Sequence, residues 1–233
     1  MLRKLIAILL LCLGAGAAHS QNIIFNDHES GNWSLSSGLL GFGFVSAPGA
    51  PQTLPIEMSK SFEIGWNKIV GARYTYSNFS FDIGFGINWR NYKITTPDYR
   101  FVAEGGKVSS DLYPEGVDPK NSRLKIFMLE APVTFKLDMP FRVFGHRPSL
   151  TAGVILDYAT HGSMLTRWKD AEGHKVKVKS NKIGHRRFGY DIVGILGLSD
   201  DVGVMVRYSP LSVLRGNGQP HFHTFSAGLV FGI

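Results

Sequence analysis

Asn78 to Lys93 reads NFSFDIGFGINWRNYK. Phe79, Phe81, Ile83, Phe85, Ile87 and Trp89 alternate with Ser80, Asp82, Gly84, Gly86, Asn88 and Arg90. A period of two is the mark of a β-strand, because successive side chains point to opposite faces. One face is large and apolar for six positions in a row, and the other carries both a carboxylate and a guanidinium. In a soluble protein the apolar face packs on a core. In a membrane barrel lipid takes the apolar face and the lumen takes the polar one. A tilted barrel strand needs about 9–11 residues to cross the hydrocarbon, and Phe79 to Trp89 has that length, with aromatics at both ends of the stripe.

The remainder of the chain repeats the pattern. Trp33 to Val45 alternates with a slip near Leu39 and Leu40, where a bulge is expected. Phe62, Ile64, Trp66, Val70, Ala72, Tyr74 and Tyr76 share one parity, with Lys68 the only exception. Ser61, Glu63, Gly65, Asn67, Gly71, Arg73 and Thr75 share the other, along with Ile69. Further strands are expected over 122–138, 150–158, 188–198, 202–208 and 223–233. Ser77-Asn78 and Asp200-Asp201 are short turns. The stretches 96–121 and 162–185 read as long polar loops, and 46–57 and 210–220 as shorter loops rich in Pro or Gly. Eight strands result, joined by connections that run long, short, long, medium, long, short, long. This order predicts an all-β fold, an eight-stranded antiparallel transmembrane β-barrel of up-and-down meander type. Short turns then lie on the periplasmic side with both termini, and the long loops lie outside. Tyr74, Tyr76, Phe79, Phe81 and Phe231 would form an inner aromatic belt. Trp89, Tyr158, Phe188, Tyr190, Tyr208 and Phe225 would form an outer one.

The N-terminus fits an exported protein. Arg3 and Lys4 precede a short apolar run from Leu5 to Leu13, and Ala18-His19-Ser20 supplies small residues for a cleavage site. Residues 1–20 read as a secretory signal peptide, too short to span a membrane, and 21–233 as one barrel domain beginning at Gln21. Cys12, the only cysteine, leaves with the signal, so disulfides play no part in the mature chain. Leu11 before it argues against lipidation. Loss of Arg3 and Lys4 takes the net charge from +7 to +5, a mild basicity that does not point to nucleic acid in an exported protein.

The inward parity collects Glu63, Asp82, Glu130, Asp157 and Asp191 against Arg73, Arg90, Lys136, Arg187 and Arg207. An eight-stranded barrel is just wide enough for side chains to fill it, and buried charges must be paired. Five acids balanced by five bases read as an ion-pair network closing the lumen. A charge-selective small-solute channel would show one excess sign and a wider barrel.

Several blocks resemble the PorT-like outer-membrane β-barrel family of Bacteroidota. They are SKSFEIGWN, FDIGFGINWRNYKI, SRLKIFMLEAPVTFKL, SLTAGVILDYATHGS and VRYSPLSVLRGNGQPHFHTFSAGLVFGI. Trp89-Arg90-Asn91-Tyr92 is similar to the family's W-x-N-Y element, and Leu129-Glu130-Ala131-Pro132 to its L-E-x-P element. Tyr208-Ser209-Pro210-Leu211 with the closing strand resembles the family's end. The resemblance spans about Ser59 to Ile233. It implies the barrel and location in the outer membrane. One branch of the family serves a protein-secretion apparatus, so the resemblance implies an envelope or secretion-apparatus partner.

The histidines and lysines at and beyond the strand ends bear on chemistry and contacts. Some small barrels are lipid-modifying hydrolases with His and Ser at the outer rim, and His161-Gly162-Ser163 lies at such a rim. Asp157 shares the strand face of His161 in this reading but stands four residues away, beyond direct contact, so no catalytic residue is assigned. His221 and His223 alternate and lack a third ligand, so no metal is assigned and no cofactor is expected. The segment KVKVK places Lys175, Lys177 and Lys179 on one face, where they are expected to contact lipopolysaccharide phosphates.

Overall fold

A computed structural model describes residues 31–94, 98–143, 145–199, 201–216 and 218–232. The expected signal peptide, Gln21, Asp200 and Ile233 lie outside the described residues. The strands are β1 (Asn32–Ser36), β2 (Leu39–Ser46), β3 (Phe62–Tyr76), β4 (Phe79–Ile94), β5 (Tyr99–Glu104), β6 (Lys107–Leu112), β7 (Asp118–Asp138), β8 (Ser149–Lys169), β9 (Lys175–Ser180), β10 (Phe188–Gly197), β11 (Val202–Ser209) and β12 (Thr224–Phe231). One helical turn, Met58–Lys60, precedes β3.

Eight of these strands close on themselves. The antiparallel order is β2, β3, β4, β7, β8, β10, β11, β12 and back to β2. β1 is a continuation of the first strand, paired with β3 below an irregularity at Leu39/Leu40, where the sequence pattern slips. Closure can be followed rung by rung. Phe79 faces Leu137, then Leu150, Leu196, Val204, Leu229, Phe42 and Ile64, and the ladder returns to β4 at Trp89, ten residues from its start. That stagger over eight strands corresponds to the tilt of roughly 35–45° found in small barrels.

All nine residues on this spiral are apolar, and each is 40–48% exposed. Meanwhile Glu63, Asp82, Arg90, Glu130, Asp191 and Arg207 are buried. The polarity is inverted relative to a water-soluble protein, as a transmembrane barrel requires. Rings cluster at both ends of the apolar band. Phe135 packs against Phe79 and Phe81 at 5.7 and 5.0 Å between centroids, and Trp33 against Tyr74 at 5.3 Å. At the other end Trp89 meets Phe127 at 4.5 Å and Tyr158 meets Phe188 at 4.9 Å.

The stretches read as polar loops are instead largely strands. Residues 99–112 form the β5–β6 hairpin, β7 begins at Asp118, and β8 runs on to Lys169 before turning back as β9. The physical reason lies in a second reversal of polarity. Past Phe127 the outward residues of β7 are Arg123 and Lys125, whereas the inward ones are Leu124 and Ile126, continuing from Met128 just below. Beyond the membrane band the barrel is built like a soluble protein, wet outside and apolar inside. These inward residues join Val45, Leu54, Tyr92, Phe101, Val108, Met164, Ile183, Leu214 and Phe222 in one apolar cap core. Two polar groups within it are bonded: the Tyr92 hydroxyl lies 2.8 Å from the Thr224 hydroxyl, and the Phe101 amide donates to Ser122 Oγ at 2.8 Å.

Candidate functional site

The lumen is layered. Beneath the cap core lies a cluster of six buried charges. Arg90 Nε donates to Glu63 at 2.9 Å, and its terminal nitrogens reach Asp191 and, at 2.8 Å, Ser209. Arg207 donates to Glu130 at 2.7 Å, binds Asp191, and lies 3.9 Å from Asp157. Ser226 donates to Glu63 at 2.6 Å, and Ser209 donates to Asp191. The carboxylates of Glu130, Asp157 and Asp191 converge closely enough to hold a cation; the guanidinium of Arg207 takes that place. Below this cluster Ile155, Val193, Ile195, Met205 and Val230 make an apolar waist. Below the waist Asp82 receives Lys68 at 2.8 Å and Arg73 at 3.0 Å, with Ser36 at 3.2 Å. Lys136 lines the same cavity and lies 3.4 Å from Asp138.

The ten charges read as one network thus fall into two groups, and one of them belongs to neither. Arg187 is exposed, just before β10 begins. The strand read from Phe188 does not extend back to it, so its parity does not turn it into the lumen. Lys68 takes part in its stead. The β3–β4 register shifts between Trp66 and Val70, and this bulge turns both Asn67 and Lys68 inward. The signal was present in the sequence: Lys68 is the one charge on an otherwise apolar parity. Gly86 makes room for the bulge, since a Cβ there would lie 2.4 Å from the Asn67 carbonyl oxygen. The pairing of β4 with β7 is likewise interrupted between Ile83 and Gly86, opposite Pro132, which has no N–H to offer the ladder.

A second bulge corrects the rim reading. The register of β7 and β8 shifts where Phe127 faces His161 and Met128 faces Ala159. Asp157 is buried in the lumen, but His161 is exposed on the opposite face. The two do not share a side, because the extra residue reverses the alternation. Gly162 turns inward, where a Cβ would lie 2.5 Å from Ile183 and 2.7 Å from His185. Gly162 is therefore a packing seat for Ile183 and His185. His221 and His223 touch ring to ring at 5.1 Å, and among the described residues no third ligand joins them.

His185 gives the cap a pH dependence. Its Nε2 lies 3.4 Å from the Ala159 carbonyl oxygen, and Leu214 bridges to it from the other loop. Burial holds its pKa below the ordinary imidazole value; the Ala159 bond opposes this, while Arg187 and His161 push it further down. The unfolded segment therefore binds a proton more readily than the folded one. The contribution is present above the unfolded value of about 6.5 and is lost as pH falls from there through the lower folded value. Hydrogen-exchange protection at 183–187, corrected for the intrinsic exchange rate at each pH, should fall between pH 7.5 and pH 5, and His185→Gln should remove that pH dependence.

No family model matches the chain, and no curated protein matches it. Among solved structures, the chain is similar to Ail, the attachment invasion locus protein of Yersinia pestis, crystallised in complex with the heparin analogue sucrose octasulfate. The alignment covers 87% of this chain and 98% of that one at 14% identity, with a TM-score of 0.37. The barrel described above stands on its own rungs.

Proposed function

We propose that the protein is an integral outer-membrane barrel, exported by residues 1–20, with both termini periplasmic and the β5–β6 and β8–β9 segments outside. In this reading it is a non-enzymatic, non-conducting structural or interaction element of the envelope, of the PorT-like kind. The observation that carries it is the spiral of nine exposed apolar residues around a lumen of buried carboxylates bridged by arginine and lysine. Support for a sealed lumen comes from its layering: apolar cap, ion-pair cluster, apolar waist, second cluster. A water-filled path would have to cross two apolar layers, so the channel reading is the weaker one. The separation of Asp157 from His161 onto opposite faces speaks against a hydrolase centred on His161 and Ser163.

On this reading Lys175, Lys177 and Lys179, all exposed on β9, contact lipopolysaccharide, and the cap presents a surface to an envelope or secretion partner. Two measurements test the assignment. The chain should sediment with outer membranes and run faster on gels when unboiled. Planar bilayers holding the purified protein should show no unit conductance; steady single-channel openings would replace the sealed-lumen reading with a channel.

A further inference from the structure

We infer that the outer wall of β4, β7, β8 and β9 beyond the aromatic belt is a built binding face for phosphate groups of the outer-leaflet lipid. The inference rests on the membrane orientation proposed above and extends it from the β9 lysines to Lys93, Arg123, Lys125 and Arg167.

Facing residues on neighbouring strands share a side. Lys93 faces Arg123, Arg123 faces Leu165, and Leu165 faces Lys179, so one line across four strands carries three cations. On the next rungs Arg167 faces Lys177 and Lys169 faces Lys175. Lys125 lies beside them, opposite Asn91. Like charges placed directly opposite one another destabilise a sheet, yet here three such pairs stand together. Among the described residues none of these cations lies within ion-pair distance of a carboxylate. Asp118 faces Lys169, but its carboxylate is taken by Lys120 at 2.6 Å. The compensating negative charge must come from outside the chain.

The position says which anion. Lys125 stands two residues beyond Phe127, and Lys93 and Arg123 stand four beyond Trp89 and Phe127. At about 3.3 Å per residue along strands tilted by roughly 35–45°, these groups lie roughly 5–11 Å past the girdle, at headgroup depth. The wall is also stiff, because the opposite face of the same strands, Leu124, Ile126 and Met164, is locked in the cap core. Fixed guanidinium forks at Arg123 and Arg167 suit the paired oxygens of a phosphate monoester. A phosphorylated lipid such as lipid A is the anion that the outer leaflet presents at this depth.

The test uses the full mature chain in detergent micelles, with bis-phosphorylated lipid A and its phosphate-free form as probes. Each variant is first checked for the mobility of a folded barrel in unboiled samples. Lys93→Gln/Arg123→Gln/Arg167→Gln should weaken binding of the bis-phosphorylated probe roughly a hundredfold, as expected for three cations near an anionic surface. Lys107→Gln/Lys182→Gln/Arg215→Gln removes the same charge from the cap and should change it less than about threefold. If the triple wall variant does not fold, the single change Arg167→Gln is compared with Lys107→Gln in the same way. Equal losses in wall and cap variants would reduce the effect to net charge and overturn the proposal. Equal binding of the phosphate-free lipid would assign the contact to acyl chains. Displacement of lipid A by inorganic phosphate at equal concentration would assign the wall to a soluble anion. Failure of the membrane reading itself shows separately, as absence of the chain from outer membranes.

Discussion

Arg207→Ala is expected to be among the most damaging single substitutions in the lumen. Arg207 is fully buried and joins Glu130 and Asp191, with Asp157 close by. Its loss leaves four carboxylates, Glu63, Glu130, Asp157 and Asp191, in one dry layer facing Arg90 alone. Breaking a buried pair by removing one partner costs about 3–5 kcal/mol, and in a chain of this size that corresponds to a fall of roughly 10 °C in unfolding temperature. The temperature at which unboiled samples lose their fast gel mobility measures it directly. Arg207→Met combined with Glu130→Gln, Asp157→Asn and Asp191→Asn should recover most of the loss, because only the Arg90–Glu63 pair then remains and the cluster no longer holds unpaired charge. A fall of only one or two degrees for Arg207→Ala would mean that this cluster does not hold the barrel together.

Phe85→Arg and Val178→Arg should behave oppositely, although the two side chains are 44% and 43% exposed. Phe85 faces Val70 midway along β4, between the two aromatic belts. Val178 is on β9, beyond the outer belt. An arginine on the lipid face at mid-membrane costs about 2–4 kcal/mol, whereas an exposed substitution in water stays within about 0.5 kcal/mol. Urea unfolding in lipid vesicles reads the difference. Equal, negligible effects would show that Phe85 meets water and would remove the membrane assignment.

Much of the candidate site was legible because a strand in a one-walled barrel alternates strictly. Glu63, Arg90, Glu130, Asp157, Asp191 and Arg207 meet in the structure although the nearest of them in sequence are 16 residues apart or more. Parity alone placed them on the inner face. Parity failed where one residue was added. The bulge in β3 brings Lys68 to Asp82, and the one in β8 parts His161 from Asp157. A bulge leaves no trace in composition, only a break in alternation that a loop or an exception would produce equally well. The cap was missed for a related reason. Beyond Phe127 the solvent changes from lipid to water, so the same alternation carries the opposite polarity, and charged outward residues such as Arg167 and Lys169 read as loop.

By itself, the sequence determined the eight crossing strands, their antiparallel order and the inside-out polarity, because each follows from spacing along a single strand or from the length of a single connection. Only the tertiary structure decided the ten-residue stagger, the division of the lumen into two ionic layers about an apolar waist, and the gathering of cations on one outer wall. Those depend on the register between strands, which is set by bulges and by the fit of side chains across the barrel, and no single strand carries that information.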